Sequence, residues 1–289
     1  MRTIVCLSLW LAAGLPSAAQ NDDKAAVLRD AAARGRVDTV EELLAEGAPV
    51  DGPDKNGRTA LMLAAQRGRP DVITLLLSKG ANPDARDRSG FTAWGLATFD
   101  PVGKGLHHET LDALPQPARP RAVVNSGWTP IRLVSSCFMS TSDLAGGVGK
   151  LRLDRLVLDQ FEAYATVSGK NLMEIVDSQP RGMNSAFTAD GVAPPQTSAA
   201  PVVVNIQVQP GSACSPPGDS LNLGIDIRVF RVRDRGLLLG KTFAGGLKGL
   251  RAQQVDNPTQ YVPVYQKWIK SAIEEMYWAV AESLYRADL

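Results

Sequence analysis

The chain has 289 residues, enough for two domains of ordinary size, and 44% of them are hydrophobic against 21% charged, the balance of a globular protein. Lysine and arginine together number 31, aspartate and glutamate 30. Net charge therefore gives no attraction to polyanions, and nucleic acid is not an expected partner.

The first twenty residues are unlike the rest. Arg2 supplies a short positive start, Thr3 to Leu15 form an apolar run broken only by small residues, and Pro16, Ser17, Ala18 and Ala19 follow before Asp22 and Asp23. This order predicts a secretory signal peptide over residues 1–19, cleaved between Ala19 and Gln20, and a periplasmic or secreted product. The run is short for the roughly 30 Å of a bilayer's hydrocarbon core, and no later stretch is longer, so no membrane span is expected. Cleavage would remove Arg2 and no acid, leaving 30 bases and 30 acids. It would also remove Cys6 and leave Cys137 and Cys214. These two are a candidate disulfide closing a loop of about 77 residues, the alternative being two unpaired thiols.

From residue 21 onward the sequence repeats with a period of 33: Gly35 and Gly68, Gly47 and Gly80, Ala48 and Ala81, Asp51 and Asp84, Gly57 and Gly90, Thr59 and Thr92. The middle unit runs from Asp54-Lys55-Asn56-Gly57-Arg58-Thr59 through Ala64-Ala65-Gln66-Arg67-Gly68 to Leu75-Leu76-Leu77 and Gly80. Each part has a physical task. Asp54 to Gly57 make a tight turn, with Gly57 at the position a side chain would resist. Thr59 caps a first helix through its hydroxyl. Ala64 and Ala65 are small enough for neighbours to approach closely, Gly68 ends that helix, and Val72, Leu75 and Leu76 face inward from a second.

These motifs closely resemble the ankyrin repeat, with Ala60 where that family prefers proline and Met62 where it prefers histidine. The unit from Asn21 to Gly47 lacks the glycine turn and the threonine, as suits an end repeat facing water. The unit from Asp87 to Ala97 starts well and departs at Phe99-Asp100-Pro101, with a second helix expected at His108 to Leu114. The resemblance implies a stack of about three repeats over residues 20–100, the first and last atypical. It also implies a protein partner, gripped by the turn tips and first helices: Arg34; Lys55, Asn56, Arg58, Gln66 and Arg67; Arg88, Ser89 and Phe91. Arg34, Lys55, Arg58, Arg67 and Arg88 are basic although residues 21–99 hold eleven bases and twelve acids. An acidic patch on the partner fits that row, the alternative being ordinary solvated charge.

Pro115, Pro117 and Pro120 then interrupt the chain, which predicts a linker over residues 101–127. His107 and His108 lie in it, adjacent and without a third ligand at helical spacing, so no metal is expected. Residues 128–289 scan as an α+β domain with a mainly antiparallel sheet. Asn125 to Ile131 mimic a further repeat opening, but Ile131, Leu133, Ser135 and Cys137 alternate as a first strand. Leu153, Leu156, Val157, Phe161 and Tyr164 trace a helix, and Leu172 to Val176 a short strand. Residues 180–201 read as a long loop. Strands are expected at Val202–Val208 and Leu221–Val229, with Arg233-Asp234-Arg235-Gly236 turning into Leu237–Phe243. A long terminal helix carries Tyr265, Trp268, Ile269, Ala272, Ile273, Met276, Val280 and Leu284.

That order, with the hairpin from Gly224-Ile225-Asp226-Ile227-Arg228-Val229-Phe230 to Leu239-Gly240-Lys241, resembles in outline a family of bacterial envelope domains. They are the periplasmic domains of the curli-export lipoprotein, of the outer-membrane activators of peptidoglycan synthases and of the Tol-system propeller protein. The resemblance implies envelope assembly without catalysis. No complete catalytic motif or cofactor site is present. Gly146-Gly147-Val148-Gly149-Lys150 has Leu144 and Leu151 where a phosphate loop needs glycine and a hydroxyl. Asp154, Asp159, Glu274 and Glu275 read as solvated faces. The competing reading is an envelope hydrolase or small-ligand domain at 128–289, with a polar pocket near Lys150, Asp154 and Asn171.

Overall fold

A computed structural model describes residues 18–99, 108–128, 153–167, 171–180, 200–210, 220–248 and 258–289. The chain divides between Gln116 and Pro117 into two units.

The three pairs of glycines spaced by 33 all take left-handed backbone angles: φ 77° and 66° at Gly35 and Gly68, 84° and 87° at Gly47 and Gly80, 80° and 85° at Gly57 and Gly90. Side chains resist that conformation, so the period marks where the chain must turn. Between the turns run three helix pairs: α1 (Ala18–Arg34) with α2 (Val37–Ala45), α3 (Ala60–Gln66) with α4 (Pro70–Ser78), and α5 (Ala93–Thr98) with α6 (His108–Ala113). The cleavage junction expected between Ala19 and Gln20 falls in the first turn of α1. Helices α1, α3 and α5 pack in one row and α2, α4 and α6 in a second. Alanine makes the rows close. Ala31, Ala32, Ala60, Ala64, Ala65, Ala93 and Ala97 are all buried, and Leu28, Leu61, Val72, Ile73, Leu76 and Leu96 fill the space between layers. Each of those larger side chains contributes about 1.5–3 kcal/mol through burial.

The first helix of each of the last two units is capped as its threonine requires. Thr59 Oγ1 accepts from Met62 N at 3.4 Å, and Thr92 Oγ1 accepts from Gly95 N at 3.1 Å. Met62 answers its cap, its Sδ accepting from Thr59 N at 3.5 Å, a weak bond but one made inside a dry core. Helix α5 stops at Thr98, where the repeat pattern breaks, and α6 supplies the second helix expected after it.

The second unit is a five-stranded sheet in the order β2-β1-β3-β4-β5. Its strands are β1 (Arg121–Trp128), β2 (Glu174–Pro180), β3 (Val202–Pro210), β4 (Ser220–Arg231) and β5 (Leu237–Lys248). Helix α7 (Leu153–Val167) lies between β1 and β2 in the chain, and α8 (Pro258–Arg286) ends it. The sheet is mixed, not mainly antiparallel as expected. β1 runs parallel to both β2 and β3, while β3–β4 and β4–β5 are antiparallel. The reason lies in burial on both faces. Ala122, Val123 and Val124 in β1 and Val202, Val203 and Val204 in β3 are consecutive and all buried, the pattern of central parallel strands.

This same run corrects the boundary. Arg121–Trp128 fall within the linker expected over 101–127, yet form the strand at the centre of the parallel half. The first strand expected at Ile131–Cys137, residues 181–199 of the loop expected over 180–201, the phosphate-loop candidate at Gly146–Lys150, and both Cys137 and Cys214 lie outside the described residues.

Both helices cover one face of the sheet. Lys241, opposite Ile227 in the register, reaches Glu275 of α8 at 2.7 Å, and α7 packs on β1, β2 and β3. On this side Val204, Ile206, Val208, Ile225, Ile227 and Val229 of the sheet, Phe161 of α7 and Ile269, Ile273, Met276 and Val280 of α8 are all buried. Tyr277 ties the layers. Its ring packs 5.9 Å from Phe161 and 5.2 Å from Tyr164, and its hydroxyl accepts from Leu172 N at 3.0 Å. The opposite face carries a polar row: Asn125 Nδ2 donates to Asn205 Oδ1 at 3.3 Å, and Asp226 accepts from Arg228 Nε and Thr242 Oγ1.

Burial holds the phenols of this core protonated. It pushes Tyr285 up to about 12, helped by Tyr277 and opposed by Arg119, and it raises Tyr277 as well. An unfolded tyrosine ionises near pH 10. Stability is therefore intact below that pH and falls as pH rises through about 12, because the unfolded chain releases protons first. Thermal midpoints measured from pH 8 to 12 should drop steeply above pH 10, and Tyr285→Phe should flatten that drop. An identical slope in the variant would remove Tyr285 as the cause.

Candidate functional site

The turns between repeats are built around two carboxylates. Asp54 Oδ1 accepts from the amides of Asn56 and Arg58, each at 2.8 Å. Asp87 Oδ1 accepts from Ser89 and Phe91, each at 2.9 Å. Backbone bonds close the same loops, from Asp54 N to Arg58 O and from Asp87 N to Phe91 O, both at 2.9 Å. Thus the amides of Asn56, Arg58, Ser89 and Phe91, which a tight turn would otherwise leave without an acceptor, each have one. Asp87 is 7% exposed, which makes its two bonds harder for water to replace.

The two turns are joined directly. Arg88 N donates to Asn56 O at 2.9 Å, across the repeat boundary. Gly57 permits the approach, for a Cβ there would stand 3.1 Å from Arg88 N and 3.3 Å from Asp87 Cα. A second bridge forms behind it, where the Asp51 carboxylate accepts from Asn82 N at 3.1 Å. The tips are consequently one hydrogen-bonded ledge.

The structure gathers Lys55, Asn56, Arg58, Arg88, Ser89 and Phe91 on this ledge. Lys55, Asn56, Arg88 and Ser89 are exposed; Arg58 and Phe91 are half-buried. Arg58 Nε is buried with no hydrogen-bond partner and lies 3.9 Å from Asp87 Oδ2. Arg34, Gln66 and Arg67 are not on it. Gln66 closes α3, with Arg67 its C-cap, about 10 Å along the helix axis from the turn, and Arg34 closes α1 in the adjoining repeat. Arg34 is bound to Asp30 at 3.0 Å, so its charge is partly spent within its own helix. Lys55, Arg67 and Arg88 form no ion pair among the described residues. They are the exposed, uncommitted cations of the two clusters.

From the sequence alone Asp54 has a place in a turn and Asp87 no role of its own, whereas in the structure each carboxylate holds two amides. The signal was present, since the two aspartates stand at the same spacing of 33 as the glycines. The polar pocket considered near Lys150, Asp154 and Asn171 is not assembled by the described residues. Lys150 and the side chain of Asp154 lie outside them, and Asn171 is exposed. Among the described residues there is no cluster of three or more histidine, cysteine, aspartate or glutamate side chains placed to hold a metal ion. No described helix is long and apolar enough to cross a membrane.

Residues 5–87 match the family model for ankyrin repeats, in three copies. The amino-terminal part of the chain is an ankyrin-repeat segment, a kind of repeat that suggests a role in protein-protein interaction. The chain matches none of the curated proteins.

Two substitutions test the ledge. Asp87→Ala leaves the amides of Ser89 and Phe91 without their acceptor and should cost roughly 1–3 kcal/mol in urea unfolding. Gly57→Ala, with φ 80° and the Arg88 amide in its way, should cost on the order of 1–3 kcal/mol. Unchanged midpoints would show that the turns are not held as described.

Proposed function

We propose that this is an exported, non-catalytic adaptor whose ankyrin ledge grips a protein partner through an acidic patch. The observation that carries the reading is the pair of exposed cations Lys55 and Arg88 on a hydrogen-bonded two-turn frame, with Arg67 at the far end of α3, none of the three in an ion pair among the described residues. A flexible loop would lose side-chain and backbone freedom on binding, whereas this backbone is already fixed by its own hydrogen bonds. Opposite charge on the partner then gives fast encounter and register, with strong salt dependence. Phe91, half-buried at the edge of the ledge, offers an aromatic contact beside the charges.

The leader of residues 1–19 supports export to the periplasm or beyond. For the second unit we propose a role in envelope assembly, supported by its order of strand, helix, four strands and terminal helix. The repeats and this unit would together link a soluble partner to an envelope process.

The test is a comparison of captured partners. The chain from residue 20 onward should retain a defined set of proteins from periplasmic extract at low salt. Lys55→Glu/Arg67→Glu/Arg88→Glu should lose that set while keeping its thermal midpoint, because none of the three charges is paired among the described residues. Arg58 is left in place, since reversing it beside Asp87 would strain the ledge itself. An unchanged set of partners would refute the ledge as the binding surface.

A further inference from the structure

Among the described residues four large hydrophobic side chains are exposed: Val27, Val232, Leu237 and Leu289. Val232 and Leu237, 38% and 58% exposed, flank the apex of the β4–β5 hairpin. Asp288 lies beside the hairpin, its carbonyl accepting from Arg231 Nη1 at 3.1 Å. The apex between the two aliphatics reads Arg233-Asp234-Arg235-Gly236. Its own acid is already used. Asp234 takes Arg231 at 3.0 Å and accepts from Gly236 N at 3.0 Å. These contacts, the Gly236 amide first, hold its carboxyl below the usual range. Arg233 and Arg235 are exposed and form no ion pair among the described residues. Arg235 sits at φ 57°, a left-handed angle more often left to glycine or asparagine.

We propose that this apex is a peripheral docking point for an anionic lipid surface, with Arg233 and Arg235 on headgroup phosphates and Val232 and Leu237 at the acyl boundary. The chemistry of a bilayer interface fits the pattern, which places guanidinium groups beside aliphatic ones at a small convex tip. A protein partner fits less well. A stable protein interface needs about 800 Å² from each side, and a seven-residue apex cannot supply that area. The turn is preset, since Arg231 N donates to Gly236 O at 2.9 Å and Val232 N to Pro201 O at 2.8 Å. Docking therefore requires no refolding of the hairpin. Two arginines and two aliphatics give reversible attachment, not anchoring. The inference stands on the second unit alone and needs neither the ankyrin partner nor export.

The experiment is co-sedimentation of the full chain with vesicles of phosphatidylcholine alone and with about one third phosphatidylglycerol, at low and high salt. Binding is expected to the anionic vesicles only and to fall with salt. Arg233→Glu/Arg235→Glu should weaken it about ten-fold or more, and Val232→Ser/Leu237→Ser about five-fold or more at the same salt. Both pairs lie at an exposed turn, and unchanged thermal midpoints would show that the fold survives. Equal binding to neutral vesicles, no binding to either, or full binding by both variants would overturn the proposal. Loss of binding in the arginine variant alone would show a purely ionic contact with the headgroups and would overturn the seating of Val232 and Leu237 at the acyl boundary.

Discussion

Two aspartate side chains hold the ankyrin tips in shape, and almost everything proposed for the amino-terminal unit depends on them. Asp54 and Asp87 each gather two amides that a tight turn would otherwise present to water or to nothing. With the loops closed, the Arg88 amide can reach Asn56 O, and neighbouring repeats become one surface. Gly57 is the steric condition for that contact. The chain thus converts local turn chemistry into a frame, and charges placed on a frame are worth more to a partner than charges on a coil.

The second unit rests on a different constraint, burial on both faces of β1 and β3. Their valine runs cannot alternate between core and solvent, so the sheet has to be covered on one side by α7 and α8 and shielded on the other around Val123 and Val203. Within that dry interior Tyr277 and Tyr285 keep their protons, and Asn125 and Asn205 satisfy each other. Polarity then returns towards β5, at Asp226, Arg228 and Thr242. The hairpin apex is where apolar and cationic groups emerge together.

How much of this could be read beforehand differs sharply between the halves. Gly35, Gly57 and Gly68 recur at fixed spacing because only glycine is at ease in their backbone angles, so the repeats were legible from residue type alone. Thr59 as a helix cap followed from its place before an apolar run. Asp54 and Asp87 stand 33 apart, which marks them as equivalent, but their amide partners depend on loop closure that spacing does not show. In the second unit, alternation located β3, β4 and the terminal helix. It does not mark β1, where consecutive Val123 and Val124 are both buried and no alternation of period two exists. The parallel pairing of β1 was hidden for the same reason, because direction is set by crossovers and not by any one strand. The two clusters of cations also separated in space, as Gln66 and Arg67 lie a helix length from Lys55.

Native-state hydrogen exchange on the amides of Asn56, Arg58, Arg88, Ser89 and Phe91 tests the frame most directly. Exchange reports the free energy of opening each amide, so a ledge that opens only with its repeats should protect these five as strongly as the α3 amides of Leu63 and Arg67. Exchange at the rate of an open loop, with α3 still protected, would contradict the account.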